Sequence, residues 1–431
     1  MATADRLPIQ TTRAKTRPAQ LRLPRAIDPA LTLVAQAQRQ CLPQTHAAVL
    51  GPTELAWPRA WPFPRSIAAV AAGHMFSMVS FQDSDCGAWY LAAFGVNSSG
   101  QLGIAVPNPP EFSSFLYHSQ HPIVSLACGR AHALVLLRDT HGSTHLYTCG
   151  HDAYGQLGRV LDATPTANQQ RAFGSVSQPV GPLSRLRAVV AGLDHSVLLT
   201  TDDEVYTMGW GSDGQLGLGP DFTGCTAIPA PVTGLGRQRI QKVATGADFT
   251  LVLTESGQLY AWGNSEYGQA MLGHKVDRIL EPVVVPFSHG VRDVACGGTH
   301  ALVLTDASEL YTCGYGVLGL GPDQHEALQP TRLPWPAPQD PPTRVYCGPD
   351  YSACLTESGA LYLWGVNRGF APAPAPRLIP YPQRVDLHPA TAANAPVVFS
   401  HLACGSYHAL ALGSAQTLPE DQPLQTTAKI P

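Results

Sequence analysis

The chain has 431 residues, of which 44% are hydrophobic and only 13% are charged, and its formal net charge is -4 at pH 7. Its 40 glycines and 39 prolines favour short strands joined by turns over long helices, and no apolar run approaches the roughly 18 residues of a membrane-spanning helix. Residues 1–40 hold seven basic and two acidic side chains, which leaves a charge of -9 for the remainder. The body therefore lacks a general basic surface for nucleic-acid phosphates, and any role with RNA is expected to be indirect.

The first element along the chain is the basic, acid-poor segment 1–40, which is typical of a mitochondrial transit peptide. Its prolines weaken an amphipathic helix, and the alternative interpretation is a disordered basic tail or a nuclear arm. Import would place the protein in the mitochondrial matrix or on the matrix face of the inner membrane.

A repeated pattern of the form V-x-x-A-C-G-x-x-H-A-L-V-L-T follows the basic segment. It occurs seven times, and its copies are spaced by 56, 63, 54, 51, 51 and 57 residues. The glycines that mark the copies are Gly73, Gly129, Gly192, Gly246, Gly297, Gly348 and Gly405.

A second pattern, L-Y-x-x-G-x-x-x-x-G-Q-L-G, alternates with the first. Its glycine follows the first-pattern glycine by 17 residues in four of the pairs, as from Gly246 to Gly263. An apolar run, a turn such as "ESGQ" and a second apolar run predict a hairpin. Because the runs are apolar at consecutive positions, both faces of each strand are expected to be covered by neighbouring units.

Two stretches match the dinucleotide-binding fingerprint G-x-G-x-x-G, beginning at Gly209 and at Gly314. That fingerprint requires a helix after the glycines, whereas glycine and proline recur too often in both following segments for a helix to form. We therefore interpret both matches as turns of the repeat, and no cofactor is expected.

Seven stacked units can close into a ring, so the sequence predicts an all-β, seven-bladed β-propeller over residues 46–412, followed by a polar tail at 413–431. The seventh copy lacks a second-pattern strand. The segment "HAAVLG" at 46–51 is the candidate replacement, and it is predicted to pair with the strand near 408–412.

The repeats resemble those of the regulator-of-chromosome-condensation (RCC) family, whose fold is a seven-bladed β-propeller. WD-type propellers have repeats of ~40 to 45 residues with a different signature. The stretches "GWGSDGQLGLG", "WGNSEYGQ" and "GYGVLGLGP" are most similar to mitochondrial members of the family.

Cysteine, histidine and aspartate recur inside the first pattern. Ten cysteines without a C-x-x-C pair suit a reducing compartment and argue against a zinc or disulfide framework. The histidines three positions after the glycine are replaced by Phe or Tyr in other copies, which favours packing over catalysis, and the aspartates are explained equally well as solvated turn residues. The resemblance implies a partner interface instead, for which the candidates are Asp194, His195, Asp248, His300, Asp350 and His408.

Three functional hypotheses agree with the sequence. The favoured one is a mitochondrial propeller, expected to be a monomer without covalent catalysis, that acts as an interaction scaffold or guanine-nucleotide exchange factor. The resemblance implies a small or dynamin-like GTPase or ribosome-assembly factors as partners, peripheral contact with a membrane, and roles in mitochondrial gene expression, ribosome assembly or inner-membrane and respiratory-chain maintenance. The alternatives are a nuclear, chromatin-associated exchange factor for a transport GTPase and a secreted enzyme-inhibiting propeller, although no signal peptide is visible.

Overall fold

The computed structural model describes the chain in segments that cover most of the repeats. These segments are 31–36, 47–50, 65–83, 86–104, 113–159, 172–176, 182–222, 224–367, 376–385 and 397–415. Their strands form seven antiparallel sheets that follow one another along the chain, which confirms the expected all-β, seven-bladed propeller. No helix within these segments is long and apolar enough to cross a membrane.

The first blade contains four consecutive strands and a fifth from the amino-terminal part of the chain. The consecutive strands are β3 (Arg65–Ala72), β4 (Phe76–Asp83), β5 (Trp89–Gly95) and β6 (Ser113–Ser119), and the additional strand is β1 (Leu31–Gln36). β1 pairs antiparallel with β6 and forms the outer edge of the sheet. This strand lies within residues 1–40, for which the sequence predicts a basic presequence or disordered tail, and "LTLVAQ" has the β-branched and apolar residues of an edge strand. Residues 1–30 and 37–40 lie outside the described segments.

Blades 2 to 6 each contain four strands, the first of which is innermost. Blades 2 and 3 consist of β7 (Ile123–Cys128), β8 (His132–Arg138), β9 (Thr144–Gly150) and β10 (Gly174–Ser175), then a 3-10 helix (Pro182–Arg185), β11 (Leu186–Ala191), β12 (His195–Thr200), β13 (Val205–Trp210) and β14 (Cys225–Pro231). Blade 4 consists of β15 (Ile240–Thr245), β16 (Phe249–Thr254), β17 (Leu259–Ser265) and β18 (Val276–Val284). Blades 5 and 6 consist of β19 (Val291–Cys296), β20 (His300–Thr305), β21 (Leu310–Tyr315), β22 (Glu326–Arg332), β23 (Pro342–Cys347), β24 (Tyr351–Thr356), β25 (Leu361–Val366) and β26 (Leu378–Val385).

The seventh blade joins an amino-terminal strand to the last two strands of the chain's described part. It contains β27 (Val397–Cys404), β28 (Ala409–Ala415) and β2 (Ala47–Leu50). β2 pairs antiparallel with β28, with Ala47 opposite Leu412 and Leu50 opposite Ala409. The predicted ring closure is therefore confirmed, and its physical benefit is that no blade face is left without a neighbour.

The core lies between the blades. Every residue of β12, β16, β20 and β24 is buried, as expected for strands covered on both faces. The outer strands are more exposed, and β14 has no buried residue at all. One apolar cluster runs from Val197 in blade 3 through Trp262 in blade 4 to Val303 in blade 5, so side chains from adjacent sheets share the same interior.

The G-x-G-x-x-G stretch at Gly209 forms a blade turn, as interpreted from the sequence. β13 ends at Trp210, and no helix follows before β14 begins at Cys225 within the described residues. Gly209 has a φ of 106°, and a β-carbon there would lie 2.5 Å from the carbonyl oxygen of Asp194. Glycine is thus required by the close approach of two loops.

Candidate functional site

The two loops of each blade that follow the patterned glycines lie at the same end of the propeller. In blade 3 the Trp210 amide donates to the Asp194 carbonyl over 2.9 Å, and in blade 4 the Asn264 amide donates to the Asp248 carbonyl over 2.8 Å. We call this end the top face; its inner loops begin at Gly73, Gly129, Gly192, Gly246, Gly297, Gly348 and Gly405. The end that carries the hairpin turns, such as 200–204 and 254–258, is the bottom face.

Backbone hydrogen bonds connect the inner loops of the top face from blade to blade. The Arg130 amide donates to the Leu193 carbonyl and the Leu193 amide to the Ala247 carbonyl, each over 3.0 Å. The ring closes where the Ser406 amide donates to the Gly73 carbonyl over 3.1 Å. These bonds surround a cavity of about 110 Å³ lined largely by the first-pattern glycines and the residues before them. Neighbouring inner loops are therefore tied to one another by backbone hydrogen bonds.

The histidines of the first pattern are buried between blades. His132 Nε2 lies 3.0 Å from Ser196 Oγ, His300 Nε2 lies 2.9 Å from Ser352 Oγ, and His408 Nε2 lies 2.5 Å from Ser77 Oγ. Burial lowers the pKa of His132 to about 3 and the pKa values of His300 and His408 to about 4. These rings are therefore neutral at pH 7, and they act as hydrogen-bonded packing groups.

The candidates His195, His300 and His408 consequently do not present their rings to solvent. His195 is 0% exposed, and burial lowers its pKa to about 4. The structure gives all three histidines the packing role that was the alternative to an interface. Their role in a partner interface stays a prediction.

Asp194 and Asp248 occupy the same position of neighbouring blades, but their surroundings differ. Asp194 is buried and forms an ion pair with Arg130 of blade 2, whose Nε lies 3.3 Å from Asp194 Oδ1. Asp248 accepts from Gln215 Nε2 over 3.3 Å. Its pKa is raised by burial and by the nearby Asp213 carboxylate. The top face of blades 3 and 4 therefore concentrates carboxylates, one of which is neutralised by an arginine.

Aromatic side chains lie beside these carboxylates. Trp210 Nε1 donates to Asp213 Oδ2 over 3.1 Å, and the Trp210 ring packs edge-on against Tyr154 of blade 2 at 4.7 Å. Tyr267 and Tyr315 form a corresponding pair between blades 4 and 5, with ring centroids 5.5 Å apart, and are 37% and 46% exposed. These rings were not among the site residues predicted from the sequence, although the recurring Y-G-Q of the second pattern marks Tyr154 and Tyr267.

Asp350 lies apart from the other candidates. It follows Pro349 at the inner loop of blade 6 and is half-buried. The Val366 amide donates to its backbone carbonyl over 2.9 Å, which fixes the loop. The structure thus brings Asp194 and Asp248 to adjacent loops and places Asp350 two blades further along, and their role as a partner interface remains a prediction.

The cysteines and other ligand-type residues do not form a reactive or metal-binding cluster in the described segments. No group of three or more His, Cys, Asp or Glu residues there is arranged to hold a metal ion. Burial raises the pKa of Cys404 to about 12 and also raises that of Cys296, so both thiols stay protonated at neutral pH.

Comparison with known proteins places the whole repeat region in one family. The RCC1-like domain family matches residues 36–411. The human RCC1-like G exchanging factor-like protein is 32% identical over 326 residues, covering 70% of this chain and 68% of that protein. The Arabidopsis thaliana ultraviolet-B receptor UVR8 is 30% identical over 322 residues, covering 71% and 66% respectively.

Solved structures agree with the fold. Human WBSCR16 superposes with a TM-score of 0.72 at 27% identity, covering 86% of this chain and all of the other. Prp20p from Saccharomyces cerevisiae superposes with a TM-score of 0.67 at 20% identity, covering 88% of this chain and 93% of the other, which supports the propeller architecture alone.

Proposed function

Because the chain belongs to the RCC1-like domain family, we propose that its propeller is an interaction scaffold that binds a small or dynamin-like GTPase through the top face and promotes guanine-nucleotide exchange. Exchange needs no covalent chemistry. A factor that binds the nucleotide-free GTPase more tightly than the loaded one lowers the affinity of the GTPase for nucleotide by the same coupling free energy.

The arrangement of Asp194, Asp213 and Asp248 on adjacent top-face loops is the observation that carries this proposal. Arg130 neutralises only one of these carboxylates. The resulting negative field, within a body that is itself acidic, attracts a basic partner surface. Trp210 and Tyr154 lie beside the carboxylates and supply the flat apolar contacts that are enriched at interfaces.

The relatives support a GTPase as the partner class. The human relative is named an RCC1-like G exchanging factor-like protein. Yeast Prp20p, whose propeller superposes on this chain, has binding properties to Gsp1p and histones. A ribosome-assembly factor is the alternative partner.

We further propose that the protein acts in mitochondria, in gene expression, ribosome assembly or inner-membrane maintenance. The support for this location is the excess of basic over acidic residues in segment 1–40 and the resemblance of the repeats to mitochondrial members of the family. A nuclear exchange factor is the second candidate, since a basic arm also suits chromatin. Imaging of the full chain against mitochondrial and nuclear markers separates the two locations.

The activity is tested by nucleotide release from candidate GTPases loaded with a fluorescent GDP analogue. The wild-type protein should accelerate release from one of them. The double variant Asp213→Asn, Asp248→Asn should reduce this acceleration at least fivefold. The matched control is Glu357→Gln, because Glu357 is an exposed carboxylate in a hairpin turn of the bottom face. This variant should accelerate nucleotide release from the GTPase as much as the wild type does. Equal rates for both variants would exclude the top face as the site.

A further inference from the structure

A second cavity, of about 290 Å³, lies in the central channel below the ring of glycines. It is lined by Lys242, Arg292, Asp293, Thr343, Arg344, Tyr346 and His401. These residues come from the inner strands of blades 4 to 7. The inner strands run towards the top face, and most of the lining residues lie in their first halves, so the cavity belongs to the lower part of the channel.

The cavity has a simple origin in the repeat. Each inner strand has a register shift near its start, and the residue that follows the shift occupies the same position in all seven blades. In blades 1 to 3 that residue is Ala69, Ser125 or Ala188, and in blades 4 to 7 it is Lys242, Asp293, Arg344 or His401. The polar residues at this position of blades 4 to 7 all line the cavity, which therefore lies on their side of the channel.

The charges that line this cavity do not balance. Lys242 Nζ lies 2.5 Å from Asp293 Oδ1, so these two side chains neutralise each other. The second oxygen of Asp293 accepts from the Val345 amide over 3.0 Å. Arg292 donates only to neutral oxygens, those of Pro342 at 2.8 Å and Ser308 at 3.1 Å. Two arginines thus remain without a carboxylate among the lining residues.

Arg344 is the exposed member of this group. Its Nη1 lies 3.4 Å from the Ser400 carbonyl oxygen and 3.5 Å from His401 Nδ1, and both contacts are long for hydrogen bonds to a guanidinium. His401 has its pKa lowered by burial and by the charges of Arg344 and Lys242, while Asp293 acts in the opposite direction. Burial raises the pKa of the neighbouring Tyr346 to about 12, which keeps its hydroxyl protonated and able to donate.

We propose that this cavity binds a phosphate group, held by the guanidinium of Arg344 with the Lys242 ammonium and the Tyr346 hydroxyl as further donors. A guanidinium fits two oxygens of a phosphate at once, and a dianion offsets the repulsion between the uncompensated cations. The volume exceeds that of a bare phosphate, so the site also accommodates part of the molecule that carries the group. The proposal is independent of the top face, because none of the lining residues belongs to it.

The first test measures binding of inorganic phosphate and, in a separate arm, of GMP to the full chain by calorimetry. Sodium chloride keeps the ionic strength equal. Phosphate should bind, and Arg344→Gln should weaken its affinity at least tenfold. The matched control is Arg278→Gln, because Arg278 also donates to a backbone carbonyl, that of Ser212, but lies on the outer strand of blade 4. The control should bind phosphate as the wild type does.

The GMP arm distinguishes the source of the phosphate. Tighter binding of GMP than of phosphate, lost in Arg344→Gln, assigns the site to a phosphorylated molecule, whereas equal affinities assign it to free phosphate. If neither ligand binds more than chloride does, or if Arg344→Gln binds both unchanged, the proposal is wrong. Should Arg344→Gln fail to fold, the His401 imidazole of the wild type is followed by NMR. Phosphate should raise its pKa, and an unchanged pKa would overturn the proposal equally.

Discussion

His132 Nε2 in blade 2 lies 3.0 Å from Ser196 Oγ in blade 3, and both side chains are 0% exposed. The Ser196 hydroxyl donates its proton to the Gln156 carbonyl over 2.8 Å, so it accepts from the imidazole. His132 is therefore the neutral tautomer with its proton on Nε2. The side chain at this position of one blade therefore needs a matching side chain in the next blade.

The same pairing of residue types recurs along the sequence at all seven blade junctions. We call the His, Phe or Tyr three residues after each first-pattern glycine the ring position of its blade. Where the ring position is histidine, the residue that follows the ring position of the next blade carries a hydroxyl. These pairs are His132 with Ser196, His195 with Thr250, His300 with Ser352 and His408 with Ser77. Where the pattern has Phe or Tyr, the next blade supplies alanine: Phe76 with Ala133, Phe249 with Ala301 and Tyr351 with Ala409. Each of the latter pairs shares one apolar cluster. The structure shows a hydrogen bond at three of the four histidine junctions, whereas the His195 ring and the Thr250 hydroxyl form none.

The junction rule predicts a rescue. Ser196→Ala should destabilise the protein by about 1–3 kcal/mol, because it leaves a buried imidazole N–H without an acceptor. Adding His132→Phe recreates the combination found at Phe76 and Ala133, so the double variant should be more stable than the sum of the single effects by about 1 kcal/mol. Urea unfolding of the four proteins measures this coupling. Strict additivity would show that the hydrogen bond does not connect the two positions.

The buried histidines also predict a loss of stability in weak acid. The pKa of His132 is about 3 and those of His195, His300 and His408 are about 4, below the value of about 6.5 for an unfolded chain. The unfolded state therefore binds more protons, and the free energy of unfolding should fall as the pH decreases from about 6.5 towards 4. The limiting slope is about 1.4 kcal/mol per pH unit for each histidine.

Denaturant unfolding between pH 7.5 and pH 4.5 measures that slope. The double variant His132→Phe, Ser196→Ala has one buried imidazole fewer and should show a shallower dependence. A slope identical to that of the wild type would mean that His132 titrates normally in the folded protein.

The sequence predicted the strands of each blade but not the contacts between side chains of different blades. Glycine spacing and consecutive apolar residues predicted the hairpins, and the missing strand after Gly405 predicted the pairing of residues 46–51 with the strand near 408–412, which the structure shows as β2 with β28. The edge strand β1 was missed because six residues without a patterned glycine carry little signal. The cavity around Arg344 and the contact between Trp210 and Tyr154 depend on side chains from different blades, which no single repeat reveals.

Truncations should divide the amino-terminal segment into parts with different roles. Removal of residues 1–30 should leave thermal unfolding nearly unchanged and abolish mitochondrial localisation. Removal of 1–36 also deletes the edge strand β1 and should lower the unfolding temperature by a few degrees. Removal of 1–50 deletes β2, which leaves blade 7 with two strands and should prevent stable folding. Scanning calorimetry orders the three proteins, and a stable 1–50 deletion would contradict ring closure by β2.

The charge of the candidate interface can be tested by substitution. Replacing Asp194, Asp248 and Asp350 together by Asn preserves shape and removes three negative charges, so a basic partner should associate more slowly and with a weaker salt dependence. Affinity should fall by about 1 kcal/mol or more where the contacts are desolvated.

The triple variant also leaves Arg130 without its carboxylate, and the unpaired charge of Arg130 by itself repels a basic partner. Adding Arg130→Gln separates these effects, because it restores neutrality at the blade 2 and blade 3 junction while the lost carboxylates remain absent. Stopped-flow association at several salt concentrations measures the effect of the lost carboxylates and the effect of the unpaired Arg130 charge. Glu357→Gln is the bottom-face control. If the triple variant captures its partner at the wild-type rate, the three aspartates are turn residues and the interface lies elsewhere.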